Sequence, residues 1–437
     1  MATIKTNYIH LSIIWFLFTS TAPFEFYAII PHHPYKYLTI ILGVLMFSFM
    51  VRDNYKIPID VVVIILVVQA AYSLLTIFMH YLTIPFFSIE EGVIYAKLFI
   101  QLVVILLCYV YIQNNGLMKP MLTSYLYVMA SMVLLATVAF ALGILVDLKP
   151  VSSTVIPDHR PISNYIFSFS PGSASEFAGG SVIRVAGYFD EPGTFAFYIT
   201  IALLLNKLTL RSKRLQWVYV LGGACTLSLA FFISLFLYFL IFSIVERKTH
   251  VTGLLIGSIF VLGVGVTQFR DESALGKIIY ELTLHRIQVN DTDDGKLIEG
   301  DNRSLNLPYS IAAFMDAPII GQGKGAHSSS RSEYAGKLCC NPMHPLATEG
   351  LLGTAIFFSL IIYGGLLALI RKPFDPVAVG VWIILIANLA QRPGFHAGSF
   401  GYFVFIFLLE ATVWHKRVLY SQRQSTLSAV PQSTNTG

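Results

Sequence analysis

The sequence predicts an all-α polytopic membrane protein with about twelve transmembrane helices and one large extracytoplasmic loop. Three observations lead there. Apolar residues make up 55% of the 437-residue chain and charged residues only 12%, whereas a soluble globular domain carries roughly 25% charged residues. Apolar runs recur at the length of a bilayer crossing, about 20 residues. The basic residues of the short loops alternate from one side to the other along the chain, as the positive-inside rule requires. A formal net charge of +5 reports orientation in such a chain, so no nucleic-acid partner is expected.

The apolar runs fall near 8–30, 35–51, 58–79, 93–113, 120–146, 187–206, 215–229, 230–245, 251–268, 345–370, 376–391 and 399–414. The first has only Lys5 ahead of it and no A-x-A site, so it reads as a retained helix and not a cleaved signal peptide. Residues 215–245 are long for one crossing and short for two. Lys207, Arg211, Lys213 and Arg214 precede them, and Arg247 and Lys248 follow. Equal basic flanks require an even number of crossings, so the segment reads as two short helices with a break around Gly222–Ser228. One face of the membrane then receives Lys5, Arg52, Lys56, Lys119, those six residues, Arg371, Lys372, Lys416, Arg417 and Arg423, more than half of the 29 Lys and Arg. The opposite short loops are poor in positive charge, and one carries Glu90-Glu91. The basic face is therefore taken as cytoplasmic, with both termini on it.

The whole chain, 1–437, reads as one transmembrane domain with three appendages: an extracytoplasmic loop at 147–183, a large extracytoplasmic loop at 269–344 and a cytoplasmic tail at 415–437. The large loop carries Arg270, Lys277, Arg286, Lys296, Arg303, Lys324, Arg331 and Lys337. Long loops escape the charge rule, so these are either a basic surface facing something anionic or scattered solvated charge balanced by nearby acids. Smaller signals in it are weak. Cys339-Cys340 are vicinal, and a bridge between neighbours is strained, so two thiols are expected. "DTDDGKLIEGDN" (291–302) has its glycine and glutamate out of place for an EF-hand, and no metal site is expected. "GQGKGAH" (321–327) has the glycines of a backbone phosphate cradle but follows no strand. Residues 425–437 read as a polar, disordered tail.

Two places concentrate chemistry. In "RVAGYFDEPGTFAFY", Arg184 is followed within about two turns by Asp190, Glu191 and Pro192, at the outer mouth of the sixth span. Charges at that depth are costly and usually mark a site, and Pro192-Gly193 break or restart the helix where the freed backbone is satisfied. The plain alternative is that Arg184 pairs with Asp190 or Glu191, or snorkels to the interface. In the second place, Asn302 and Arg303 precede a short helical pattern beginning near Pro308, and His344 stands just before the tenth span, with Glu349-Gly350 in its first turns.

Three motifs in this order, R-x-x-G-x-x-x-E-P at 184–192, D-x-P-x-x-G-x-G at 316–323 and H-x-x-x-x-E-G-x-x-G at 344–353, resemble those of the O-antigen polymerase (Wzy-type) and O-antigen ligase superfamily of bacterial membrane glycosyltransferases. The resemblance covers most of residues 184–370. It implies a GT-C-like membrane fold and a glycan donor and acceptor, the donor carried on polyprenyl diphosphate (undecaprenyl diphosphate in bacteria), in the inner membrane. The sugar C1 passes to a hydroxyl and polyprenyl diphosphate leaves, building a surface polysaccharide such as that of lipopolysaccharide. The E-P-G at 191–193 looks more like the polymerase branch. The alternatives are a ligase transferring the glycan to lipid A-core and, in another class, a lipid-linked glycan flippase. A chain-length regulator protein is a further candidate partner. Nucleotide sugars are not expected outside the cytoplasm, so neither metal nor cofactor is required, and the first outer loop, "IIPHHPYK", has no acid to hold a metal.

From the resemblance and their place at the outer surface, Arg184 and Arg303 are assigned to the diphosphate, with Arg286 and Arg160 in reserve, since guanidinium forks suit phosphate oxygens. His344 is the candidate base for the acceptor hydroxyl, because its side chain titrates near neutrality; the alternatives are that it caps the helix or binds a sugar. Glu191 is the rival base. Glu349 either orients the imidazole or is buried in helix packing, and Asp190, Gly187 and Pro192 support the first motif.

Overall fold

The computed structural model describes residues 35–84, 87–146, 149–155, 161–165, 167–171, 183–189, 191–248, 306–327, 332–338, 341–391 and 402–428. Four helices come first: α1 (Tyr35–Arg52), α2 (Val61–Thr83), α3 (Ile89–Asn114) and α4 (Met118–Val146). Three short strands follow, β1 (Ser152–Val155), β2 (Pro161–Asn164) and β3 (Phe169–Pro171). Then come α5 (Pro192–Leu208), α6 (Lys213–Ala224), α7 (Leu229–Val245), α8 (Leu307–Asp316), a 3₁₀ turn (Lys324–His327), α9 (His344–Phe357), α10 (Ser359–Ile370), α11 (Pro376–Gln391) and α12 (Phe403–Ser428).

Among the described residues three helices, in α2, α3 and α4, are long and apolar enough to cross a membrane, and α9 and α10 would make a fourth span if taken together. The apolar part of α1 and helices α5, α7 and α11 are shorter. The expected runs at 8–30 and 251–268 lie outside the described residues. The break expected around Gly222–Ser228 is present, since α6 ends at Ala224 and α7 begins at Leu229.

The structure departs from the sequence expectation in three places. The segment 147–183 is not wholly loop, and the chain not wholly α: β1, β2 and β3 form an antiparallel meander, with Ser153 opposite Ser163 and Ser163 opposite Ser170. The run at 345–370 is not one straight helix, for α9 and α10 meet at a bend of 48°. And α12 continues past 414, through the first residues of the expected polar tail, to Ser428.

Helix α5 is the axis of the bundle. Nearly every one of its residues is buried, and α4, α6, α7, α11 and α12 all pack on it. A helix apolar on every face satisfies its surroundings only when enclosed in this way. In the α2–α3 hairpin, α1 packs on α3 and α9 and α10 pack on α2. Local signals start the hairpin helices: Asp60 accepts from the Val63 N–H at 2.9 Å and Ser88 from the Glu91 N–H at 3.3 Å, relieving donors that a helix N-terminus leaves open.

The bend between α9 and α10 frees carbonyls in the interior. Gln69 of α2, wholly buried, turns its amide to them, 3.0 Å from Ile356 O and 3.2 Å from Phe357 O, and also meets the Tyr402 hydroxyl at 2.8 Å. Carbonyls freed in a buried interior need such a donor.

At the Arg371 end of α10, Lys416 donates to the carbonyls of Leu367, Ala368 and Arg371 at 2.8, 2.9 and 2.7 Å, a cation on the negative end of the helix dipole. Beside it, His415 Nδ1 lies 2.6 Å from Asp375 Oδ2, and His415 Nε2 meets Arg211. A guanidinium only donates, so Nε2 accepts and Nδ1–H donates to Asp375. This chain of bonds ties the α5–α6 connection to the start of α11 and to α12.

Candidate functional site

The first motif lies at the head of the central helix. Pro192 is the first residue of α5, where a missing N–H costs nothing. The Glu191 carbonyl accepts from Thr194 N and Phe195 N at 3.1 and 3.2 Å, so Glu191 is the helix N-cap. Just upstream, β3 clamps the chain: Phe169 N–H donates to Gly187 O at 2.7 Å, Ala186 N–H to Phe169 O at 2.9 Å, and Gly187 N–H to the Ser168 hydroxyl at 3.0 Å. Gly187 takes a φ of +58°, and a Cβ there would stand 3.0 Å from the Phe195 ring. Ile183 fills the space left by Gly143 of α4. Arg184, half-buried, is thus carried on a segment pinned by the sheet, α4 and α5.

The second and third motifs form one unit. Gly350 takes φ +64° and ψ −172°, a backbone state for glycine, and splits α9. In an unbroken helix Leu351 and Leu352 would donate to the carbonyls of Ala347 and Thr348. Here Leu351 N–H donates to Pro318 O at 2.9 Å and Leu352 N–H to Ile319 O at 3.0 Å, while Ala347 O and Thr348 O accept from Gln322 and Gly323 N–H, both at 2.9 Å. Residues 318–323 are therefore inserted into the break and replace its lost helical bonds. The insertion is backbone against backbone: a Cβ at Gly321 would stand 2.4 Å from the Thr348 carbonyl, and one at Gly350 2.4 Å from that of Ile319. The weak phosphate-cradle signal at 321–327 has another use here. The N–H groups of Gly321, Gln322, Gly323 and Ala326 all donate within the protein, to Ala317, Ala347, Thr348 and Gly323.

His344 is the first residue of α9 and half-buried. Its N–H donates to Asn341 O at 3.0 Å, and the Thr348 hydroxyl donates to its carbonyl at 3.0 Å. Asn341, buried, donates in turn to the Ser310 hydroxyl of α8 at 2.8 Å. The His344 end of α9 is thus set by α8 on one side and the inserted segment on the other.

Beneath the insertion lies a buried ionisable cluster that the sequence reading passed over. Glu349 and His80 are wholly buried, and Glu91 is 1% exposed. Tyr95 O–H donates to Glu349 Oε2 at 3.2 Å, and Lys324 Nζ approaches Glu349 Oε1 at 3.4 Å. The same ammonium lies over the rings of Phe357 and Tyr95, at 5.4 and 5.9 Å, a favourable cation–π placement. His80 Nε2 is 3.1 Å from Ile320 O. A carbonyl only accepts, so Nε2 carries a hydrogen. His80 Nδ1 then faces Glu91 Oε1 at 3.4 Å. Neither of these two buried atoms has a hydrogen-bond partner. Glu91 also fills the space beside Gly323 and Gly325: a Cβ on Gly323 would fall 1.8 Å from Glu91 Oε1.

Of the residues singled out in the sequence, Arg184, Gly187, Glu191 and Pro192 form the first unit, and His344 and Glu349 belong to the second. The two units are held by different neighbours. Arg160, Asp190, Arg286, Arg303, Cys339, Cys340 and the segment 291–302 lie outside the described residues. His80, Glu91, Tyr95 and Lys324 were missed, although ionisable residues at the edges of apolar runs are a signal. In the sequence Glu90-Glu91 reads only as loop charge. Among the described residues no group of three or more His, Cys, Asp and Glu is placed to hold a metal. No protein-family model, curated protein or solved structure matches the chain.

Proposed function

We propose that the chain is a metal-independent membrane glycosyltransferase that polymerises polyprenyl-diphosphate-linked oligosaccharide units on the outer side of a bacterial inner membrane. In this reading it crosses the bilayer about twelve times, with both termini in the cytoplasm. The observation that carries the reading is the fit of residues 318–323 into the break of α9. Two of the three motifs that resemble the polymerase and ligase superfamily are complementary halves of one unit, and that unit ends in His344.

In the reaction the acceptor hydroxyl oxygen bonds to the donor sugar C1, the bond from C1 to the diphosphate oxygen breaks, and polyprenyl diphosphate departs with the electron pair. His344 takes the hydroxyl proton as the bond forms, typically worth about 10²–10⁴-fold. Arg184 and Arg303 hold the diphosphate as its charge develops, with Arg286 and Arg160 in reserve. Purified protein given lipid-linked repeat units should lengthen them. Arg184→Ala should lower the rate on the order of a hundredfold or more, and Arg184→Lys, which lacks the fork, should not restore it. His344→Gln should lose transfer while still binding donor. Transfer to lipid A-core in place of chain growth makes the protein a ligase, and passage of donor across a vesicle without growth makes it a flippase. Chain growth at wild-type rate by Arg184→Ala and His344→Gln would remove both residues from the mechanism.

A further inference from the structure

We infer that Lys324 and Glu349 are positioning residues for His344: their ion pair locks residues 318–325 into the break of α9 and so sets the end of that helix on which His344 stands. The inference rests on the proposed role of His344.

The insertion by itself is four backbone hydrogen bonds, each of modest net worth, joining two segments whose glycines contribute no side chain. What holds the inserted segment down is the cluster below it: one tie joins the segment to the break, and the others cross from the segment or the break to the α2–α3 hairpin. Lys324, three residues after Gly321, reaches Glu349, the residue before Gly350. Glu349 in turn takes the Tyr95 hydroxyl of α3. The Ile320 carbonyl takes His80 of α2, and Glu91 of α3 lies against Gly323 and Gly325. Glu349 Oε1 has no hydrogen-bond partner and depends on the Lys324 charge.

Glu349 is wholly buried, and the Lys324 ammonium is the cation that faces it. Removing Lys324 leaves a wholly buried carboxylate uncompensated, a strongly destabilising change. The weakest way out is for residues 318–325 to lift and admit water. The five residues His344–Thr348 precede the break and would then lose the bonds that Gln322 and Gly323 make to Ala347 and Thr348. His344 would lose its placement without losing its side chain.

The experiment has two arms on the full-length protein. In the first, amide hydrogen exchange at 321–323 is compared in wild type, Lys324→Met, Lys324→Arg and Glu349→Gln. Lys324→Met and Glu349→Gln should speed exchange there by about tenfold or more, with α5 and α11 unchanged. Lys324→Arg, which keeps the charge, should stay near wild type. The second arm measures chain growth on lipid-linked repeat units. Lys324→Met should lower kcat by about tenfold or more with KM for the donor nearly unchanged, and Lys324→Arg should recover most of it. Should Glu349→Gln not fold, Lys324→Met and Lys324→Arg decide alone, since the Lys324 side chain reaches solvent. Unchanged exchange in Lys324→Met overturns the lock. Faster exchange with unchanged kcat, or a loss confined to KM, overturns the positioning role. If wild type does not lengthen glycan at all, the enzyme reading falls, and the exchange arm still reports on the lock.

Discussion

At the scale of the residue, the interior holds polar side chains that each answer one defect of the backbone. Gln69 is the clearest. Replacing it with Leu removes the Gln69 donor from the Phe357 carbonyl and from the Ile356 carbonyl, which keeps the Ser359 hydroxyl at 2.6 Å. An unsatisfied buried group costs roughly 1–3 kcal/mol, so Gln69→Leu should lower the unfolding temperature in detergent by several degrees, whereas Ser131→Ala on an exposed helix face should not. The Asp375–His415–Arg211 chain makes a prediction about pH. Burial alone would raise the Asp375 carboxyl. The hydrogen bond from His415 and the N–H groups of Ala378 and Val377 outweigh burial and hold it below its usual value. A carboxyl that is more acidic in the folded state adds stability that is complete above the ordinary carboxylate range, about pH 4, and is lost as pH falls through the folded value. Between pH 7 and pH 3 the unfolding temperature of wild type should therefore fall more than that of Asp375→Asn. Equal slopes would show that the pair contributes nothing to acid sensitivity.

At the scale of the element, the broken helix α9 is the feature that sets the site. Its break requires a residue at φ +64° with carbonyl atoms of Ile319 2.4 Å from any Cβ. Gly350→Ala combines a strained backbone, of order 1–3 kcal/mol, with a backbone clash that no rotamer relieves. It should expel residues 318–323 and abolish chain growth. Gly365→Ala, in α10 with nothing within 4 Å of the new Cβ, is the matched control. It should be neutral, or stabilising by up to about 1 kcal/mol. Equal behaviour of the two variants in a thermal unfolding series would refute the insertion. Helix periodicity cannot show such a break, because residues on both sides of Gly350 are helical; only the glycine itself marks the place.

At the scale of the molecule, the prediction concerns orientation. Lys56, before α2, and Ile89, at the start of α3, are both exposed and stand at opposite ends of the hairpin. In a variant with Cys339 and Cys340 changed to Ser, a membrane-impermeant thiol reagent should label Ile89→Cys in intact cells and spare Lys56→Cys. The reverse pattern would invert the proposed topology and put the His80–Glu91–Glu349 cluster on the cytoplasmic side. This test is independent of the enzyme reading, because it depends only on the distribution of Lys and Arg.

What the sequence by itself determined is what depends on local composition and spacing. The apolar runs marked α1 to α4, α5, α7 and α11 to within a few residues, the glycine-rich stretch marked the break between α6 and α7, and Pro192 marked the start of α5. Each rests on side chains meeting an apolar surrounding or on one residue's backbone geometry, and both are written in the order of residues. Tertiary structure alone decided which distant segments meet. The insertion of 318–323 into α9 joins parts of the chain that approach so closely only because both present glycine. His80, Glu91, Lys324 and Glu349 come from four separate segments, two of them more than 200 residues from the others. The sequence does not show that these four meet, and in a space that excludes water a charge must be compensated by its neighbours because solvent no longer does so.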